Sequence, residues 1–134
     1  MRSAKLIFGL SLALSSSMAQ SENWRVSSSG NGAVAYIDTD SIQPKGDRVR
    51  FWRELRWPEP QLMPSGTSYD RLAGLFEADC RARTLRSLRN RLRLGTRVVF
   101  DAKDRNDAPD VMKPGSNGET DLRAACFNEW KSGK

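Results

Sequence analysis

Between Arg48 and Trp57 the sequence RVRFWRELRW alternates almost residue by residue. Val49, Phe51, Leu55 and Trp57 share one parity, and Arg48, Arg50, Trp52, Glu54 and Arg56 share the other. A period of two marks a strand with one buried face. Arg53 interrupts the apolar side, which places it near an edge. The turn residues Pro44-Lys45-Gly46-Asp47 join this strand as a hairpin to the one before it. Pro58 to Gly66 holds three prolines and is expected to end the pairing.

The rest of the chain is read against that strand. Trp24-Arg25-Val26 opens a strand, and Ser27 to Gly32 is rich in turn formers. Ala33 to Ile37 is a strand carrying Tyr36. Asp38 to Ser41 is polar and bends the chain. Tyr69 to Gly95 is ambiguous: Leu75, Ala82, Leu85, Leu88 and Leu92 approximate a helical stripe, whereas Phe76, Ala78, Cys80 and Ala82 alternate with Glu77, Asp79, Arg81 and Arg83. The alternation matches more positions, so two strands are preferred, with a turn near Ser87 to Asn90 and a bulge or turn entry at Leu85-Arg86. Thr96 to Phe100 is a further strand. Asp101 to Gly118 reads as a long loop. Thr120 to Lys131 is helical, with Leu122, Ala125, Cys126 and Trp130 on one face and Thr120 as N-cap. Val49, Phe51, Phe76, Val98 and Trp130 are expected to supply much of the core. The fold class is α+β: an antiparallel β-sheet with a C-terminal α-helix.

The first residues have the order of an export signal. Arg2 and Lys5 precede the apolar run Leu6 to Leu14, and small residues at Ser17 and Ala19 suit cleavage before Gln20. Residues 1–19 are therefore a signal peptide and 20–134 one domain. The apolar run is short of the ~20 residues a membrane span needs, so no transmembrane segment is expected after cleavage. Loss of Arg2 and Lys5 lowers the formal charge from +6 to about +4. The two cysteines, Cys80 and Cys126, both follow the signal. In an oxidising compartment they are expected to form a disulfide that pins the helix to the sheet.

The composition excludes much chemistry. The chain has no histidine, so Ser-His-Asp and Cys-His sites and the usual zinc sets are ruled out. Asp38 and Asp40 are the nearest thing to paired acids, and a turn whose carboxylates cap backbone amides accounts for them. Asp101, Asp104, Asp107 and Asp110 lack EF-hand spacing and read as a solvated loop. There is no glycine-rich phosphate loop. We expect no catalytic residue, no metal and no cofactor: a binding module, not an enzyme. The distinctive feature is the arginine set Arg81, Arg83, Arg89, Arg91, Arg93 and Arg97, all of odd parity, with Trp52 among Arg48, Arg50 and Arg56. On strands these line one face or two neighbouring strands and suit phosphate, sulfate or carboxylate. The other reading is a solvated face whose arginines pair with Glu54, Glu77 and Asp79.

Several short stretches, in order, resemble the surface-adhesin protein E family of bacterial exported domains. They are Trp24, Tyr36-Ile37-Asp38 with Ser41-Ile42, Gly46 to Trp52, Phe76 to Cys80 followed by an arginine-rich strand, Pro114-Gly115-Ser116 and Leu122 to Cys126. The resemblance implies a curved antiparallel sheet with a C-terminal helix, bridged cysteines, cell-surface display and adhesion to host matrix proteins. The chain departs from the lipid-anchored members in having no cysteine directly after the signal, and has Val111-Met112 where an aromatic is expected. The expected function is an exported, non-catalytic domain contacting an acidic protein or polyanionic glycan, at the cell surface or in the periplasm. The alternative is a periplasmic structural or accessory protein held by an envelope partner. Intracellular nucleic acid is not an expected partner, since export argues against it.

Overall fold

The computed structural model describes residues 22–104 and 108–131. The proposed signal peptide, residues 1–19, and Asp107 lie outside them. The chain winds as an antiparallel sheet whose strands are β1 (Trp24–Gly30), β2 (Ala33–Asp38), β3 (Gln43–Lys45), β4 (Arg48–Leu62), β5 (Ser68–Asp79), β6 (Thr84–Leu94), β7 (Arg97–Lys103) and β8 (Asp110–Val111), followed by one helix, α1 (Asn117–Phe127). The order across the sheet is β1-β2-β4-β5-β6-β7, with β3 beside β4 and β8 beside β6. The α+β reading therefore holds. No described helix is long and apolar enough to cross a membrane.

Cross-strand register fixes two faces, because side chains alternate along each strand. Val49 lies opposite Ala78, Phe51 opposite Phe76, and Leu55 opposite Ala35 and Leu72. This inner face packs under α1. Ile37, Phe51 and Ala78 are fully buried, and Leu122 of the helix is 1% exposed. Gly74 shares the inner face: a Cβ there would lie 2.5 Å from the Phe76 ring, so a larger residue would displace that ring. Cys80, directly after β5, is bonded to Cys126 of α1, with the two Cα atoms 5.7 Å apart.

Several expectations are corrected. Ser27 to Gly30 continues β1, and the turn is only Asn31-Gly32, both at positive φ. Such a two-residue turn matches the twist of the flanking strands. Strand β4 does not end at Pro58 but runs 15 residues to Leu62. Its ladder with β5 shifts register between Arg56 and Gln61, so Pro58 and Pro60 sit where the regular ladder is interrupted. The turn expected at Ser87 to Asn90 is instead a bulge: Phe76 lies opposite Ser87 and Leu75 opposite Arg89, leaving Leu88 extra. The true turn is Cys80 to Arg83. The loop expected over Asp101 to Gly118 contains the end of β7, the short β8 and the first residues of α1.

The helix begins and ends earlier than expected, at Asn117 and Phe127 in place of Thr120 and Lys131, so Trp130 lies beyond it and packs on the core from there, only partly buried. Ser116, not Thr120, is its N-cap, and its hydroxyl accepts the Glu119 amide. Thr120 instead donates its hydroxyl to the Ser116 carbonyl. Val98 is 47% exposed and not in the core, because β7 is an edge strand and Val98 lies opposite Arg93. Arg53 is not near an edge but on β4, between β2 and β5. Its Nε donates to Asp121 Oδ2 at 2.6 Å, and Ser28 Oγ donates to Asp121 Oδ1 at 2.9 Å. Asp121 is wholly buried, so a charged residue on the apolar parity finds its partner in the helix above.

Candidate functional site

The opposite, outer face is where the arginines gather. Strand β4 contributes Arg48, Arg50, Trp52, Glu54 and Arg56. Register aligns them with Asp79, Glu77, Leu75, Ala73 and Arg71 of β5. On β6 the extra residue at Leu88 resets the parity, so Arg86 joins Arg89, Arg91 and Arg93 on this face. Strand β7 adds Asp101 opposite Arg91 and Lys103 opposite Arg89.

Carboxylates on this face are shared. Glu77 accepts from Arg48 Nη1 at 3.1 Å, Arg50 Nε at 2.9 Å and Arg86 Nη2 at 2.9 Å. Asp101 accepts a bidentate pair from Arg89, at 2.7 and 3.0 Å, and a longer bond from Arg91 at 3.3 Å. Glu54, 1% exposed, accepts from Arg56 Nε at 2.6 Å and lies 3.7 Å from Arg71 Nη1. Each of these three acids thus faces two or three guanidinium groups, and the face keeps a positive excess. Aromatic rings brace it: Arg91 lies 5.0 Å from the Trp52 ring centre, and Arg56 lies over Tyr36 at 4.1 Å and Trp24 at 5.6 Å.

The charges shift one another's protonation. Burial pushes the Glu77 carboxyl up, but the hydrogen bond from Arg50 and the charges of Arg86, Arg50 and Arg48 outweigh it and hold the group below its ordinary range. The hydrogen bond from Arg89, aided by the charges of Arg91 and Arg89, holds Asp101 low against a smaller effect of burial. Asp101 in turn raises Arg89. A carboxyl lowered in the folded state stabilises the fold above its unfolded value, and that contribution disappears as pH falls through the folded value. Glu77→Gln is therefore expected to cost about 1 kcal/mol at neutral pH, small because the arginine partners are partly solvated. The variant's denaturant midpoint should fall less steeply than wild type's as pH drops below the ordinary glutamate value of 4.5. Parallel acid slopes in the two proteins would show that Glu77 is not held low.

The arginines predicted from parity divide. Arg89, Arg91 and Arg93 stand together on the outer face with Trp52. Arg81 and Arg83 lie in the β5–β6 turn, where Arg83 has a φ of 58° and pairs with Glu119 at 3.7 Å. Arg97 opens β7 opposite Leu94, away from the cluster. Of the acids expected to pair with arginines, Glu54 and Glu77 do so. Asp79 instead accepts the backbone amides of Arg81 and Ala82 and closes the turn. Asp38 accepts the Asn23 and Asp40 amides, as a capping carboxylate should. Arg71 follows from aligning the β4–β5 hairpin by its apolar parity, Arg86 only once the bulge at Leu88 is known, and Asp101, expected in a solvated loop, lies on β7, where it accepts from Arg89 and Arg91. A separate groove of about 1490 Å³ runs between β1 and α1, lined by Ser27, Ser28, Ala124 and Ala125 among others. It gathers no comparable group of charges.

Comparison with known proteins agrees with this architecture. The profile of surface-adhesin protein E matches residues 24–127. Crystal form II of Haemophilus influenzae protein E is similar with a TM-score of 0.54 and 13% identity, covering 80% of this chain and 96% of that one. The selenomethionine form of the same protein gives a TM-score of 0.55 at 13% identity, with 80% and 95% covered. At that identity the likeness speaks for the fold alone. No curated protein matches the chain. The family match spans the sheet and the helix together, and on that ground the chain belongs to the surface-adhesin protein E family.

Proposed function

We propose that this chain is an exported, non-catalytic binding domain whose arginine-bearing outer face contacts an acidic extracellular partner, a host matrix protein or a polyanionic glycan. Family membership supports adhesion and a place outside the cytoplasm. The segment Arg2 to Ala19 supports export by a cleaved signal. The observation that carries the choice of face is the outnumbering of Glu54, Glu77 and Asp101 by guanidinium groups. Arginine in this setting offers planar, bidentate donors to carboxylate or sulfate. Ligand oxyanions would complete contacts that the three acids leave unfilled.

Replacing Arg89, Arg91 and Arg93 together by glutamine is expected to weaken binding to immobilised heparin about tenfold or more. The domain should stay folded, since Asp101, the acid left behind, is on the surface. Binding by the parent should fall steeply with salt. A folded triple variant that binds like wild type would sink the face assignment. Salt-insensitive capture of one envelope protein in its place would favour an accessory role in the periplasm.

A further inference from the structure

We infer that Arg56, Arg71 and Arg93, side by side across β4, β5 and β6, form an oxyanion site that takes sulfate groups of a sulfated glycan. The inference rests on the proposed function for the acidic, extracellular character of the partner, and it goes further in naming the site and the ligand chemistry. Register places Arg56 directly opposite Arg71, and Arg71 directly opposite Arg93. All three side chains leave the same face. Strands lie ~4.8 Å apart, so the row spans roughly 10 Å.

Like charges set directly opposite on neighbouring strands are destabilising. Here the arrangement occurs twice in succession. Among the described residues Glu54 alone answers it, bonded to Arg56 at 2.6 Å and 3.7 Å from Arg71. The third member is left over: Arg93 Nε is buried and has no hydrogen-bond partner among the described residues. On β7 the row runs out at Val98, which lies opposite Arg93 and offers no acceptor. The Arg93 Nε atom is itself shut off from a ligand, but it shows that no acid among the described residues answers this half-buried arginine. An excess of positive charge in one row is what a tetrahedral oxyanion would offset.

The site is also held in place. Arg56 lies over Tyr36 and Trp24, and its Nε bond to the buried Glu54 fixes the plane of the guanidinium. The side chains of Arg56 and Arg71 are only 27% and 35% exposed. Charges partly withdrawn from water act more strongly than charges on flexible stems. This partial burial also selects the ligand. The protruding sulfates of a narrow, linear polymer reach half-buried charges. A flat bilayer of anionic headgroups meets protruding basic side chains better.

The test uses the full mature chain, a heparin-derived hexasaccharide and its desulfated counterpart, with titration calorimetry at several salt concentrations. Arg71→Gln and Arg93→Gln should each weaken binding of the sulfated hexasaccharide about tenfold and flatten the salt dependence by roughly one charge. Arg93→Gln should melt no lower than wild type, because it relieves a like-charge contact; a purely structural arginine would cost stability. If Arg89→Gln/Arg91→Gln weakens binding while Arg71→Gln and Arg93→Gln do not, the row is wrong and the proposed face stands. If no arginine variant changes binding, both fall. Equal affinity for the desulfated hexasaccharide, or tighter binding to phosphatidylglycerol vesicles than to the sulfated one, would overturn the glycan assignment.

Discussion

Replacing Cys80 and Cys126 together by alanine is expected to lower the unfolding free energy by about 4 kcal/mol. The bridge spans 46 residues, and a cross-link of that length removes much of the freedom of the unfolded chain. Its place makes the native effect large as well. Cys126 is the anchor by which α1 is fastened to the end of β5, and Leu122 and Ala125 of α1 cover the inner sheet face. Denaturant titrations of the oxidised, reduced and double-alanine proteins test this. The reduced and double-alanine proteins should share one lowered midpoint. Midpoints equal to that of the oxidised protein would mean that packing alone holds the helix.

The second large effect is expected at Asp121. Asp121→Ala should cost about 3 kcal/mol, because it leaves the Arg53 guanidinium, 20% exposed, without its acid. Ser28 loses its acceptor in the same change. Replacing both members, as Arg53→Met/Asp121→Leu, should recover most of the loss, since a buried pair exchanged for apolar side chains is often neutral. Equilibrium unfolding in guanidinium chloride measures both. A single-variant loss under about 0.5 kcal/mol would show that the pair behaves like a solvated one.

The sequence made local periodicity plain and distant pairing obscure. Val49 and Phe51 announce the inner face of β4 because burial imposes a period of two. The cysteines announce a bridge because of their compartment. Arg53 looked like an edge residue because its partner, Asp121, is 68 residues away and no local pattern reports such a distance. Pro58 and Pro60 looked like a strand end because proline lacks an amide donor, but an interrupted ladder makes no demand for one there. Ser116 is hard to see as a cap because Gly118 weakens the helical pattern behind it. The outer face was half legible. Parity grouped Arg89, Arg91 and Arg93, but Arg86 has the wrong parity until the bulge at Leu88 is known. Arg71 gains meaning only once β5 is aligned with Arg56 and Arg93.

The winding of the sheet also sets an order of assembly. Nearly every strand pairs with a neighbour in sequence, so each hairpin needs only a short loop to close, and local contacts of this kind form early. The helix is different: Ser28 and Asp121 meet across 93 residues. The sheet can zip from one end to the other before its lid exists, since the lid follows every strand of the sheet in the chain. Until it docks, the Cys80 thiol waits at the end of β5 with nothing to bond to. Thiol oxidation during refolding is therefore a clock for the final step, and it should lag behind the formation of β-structure.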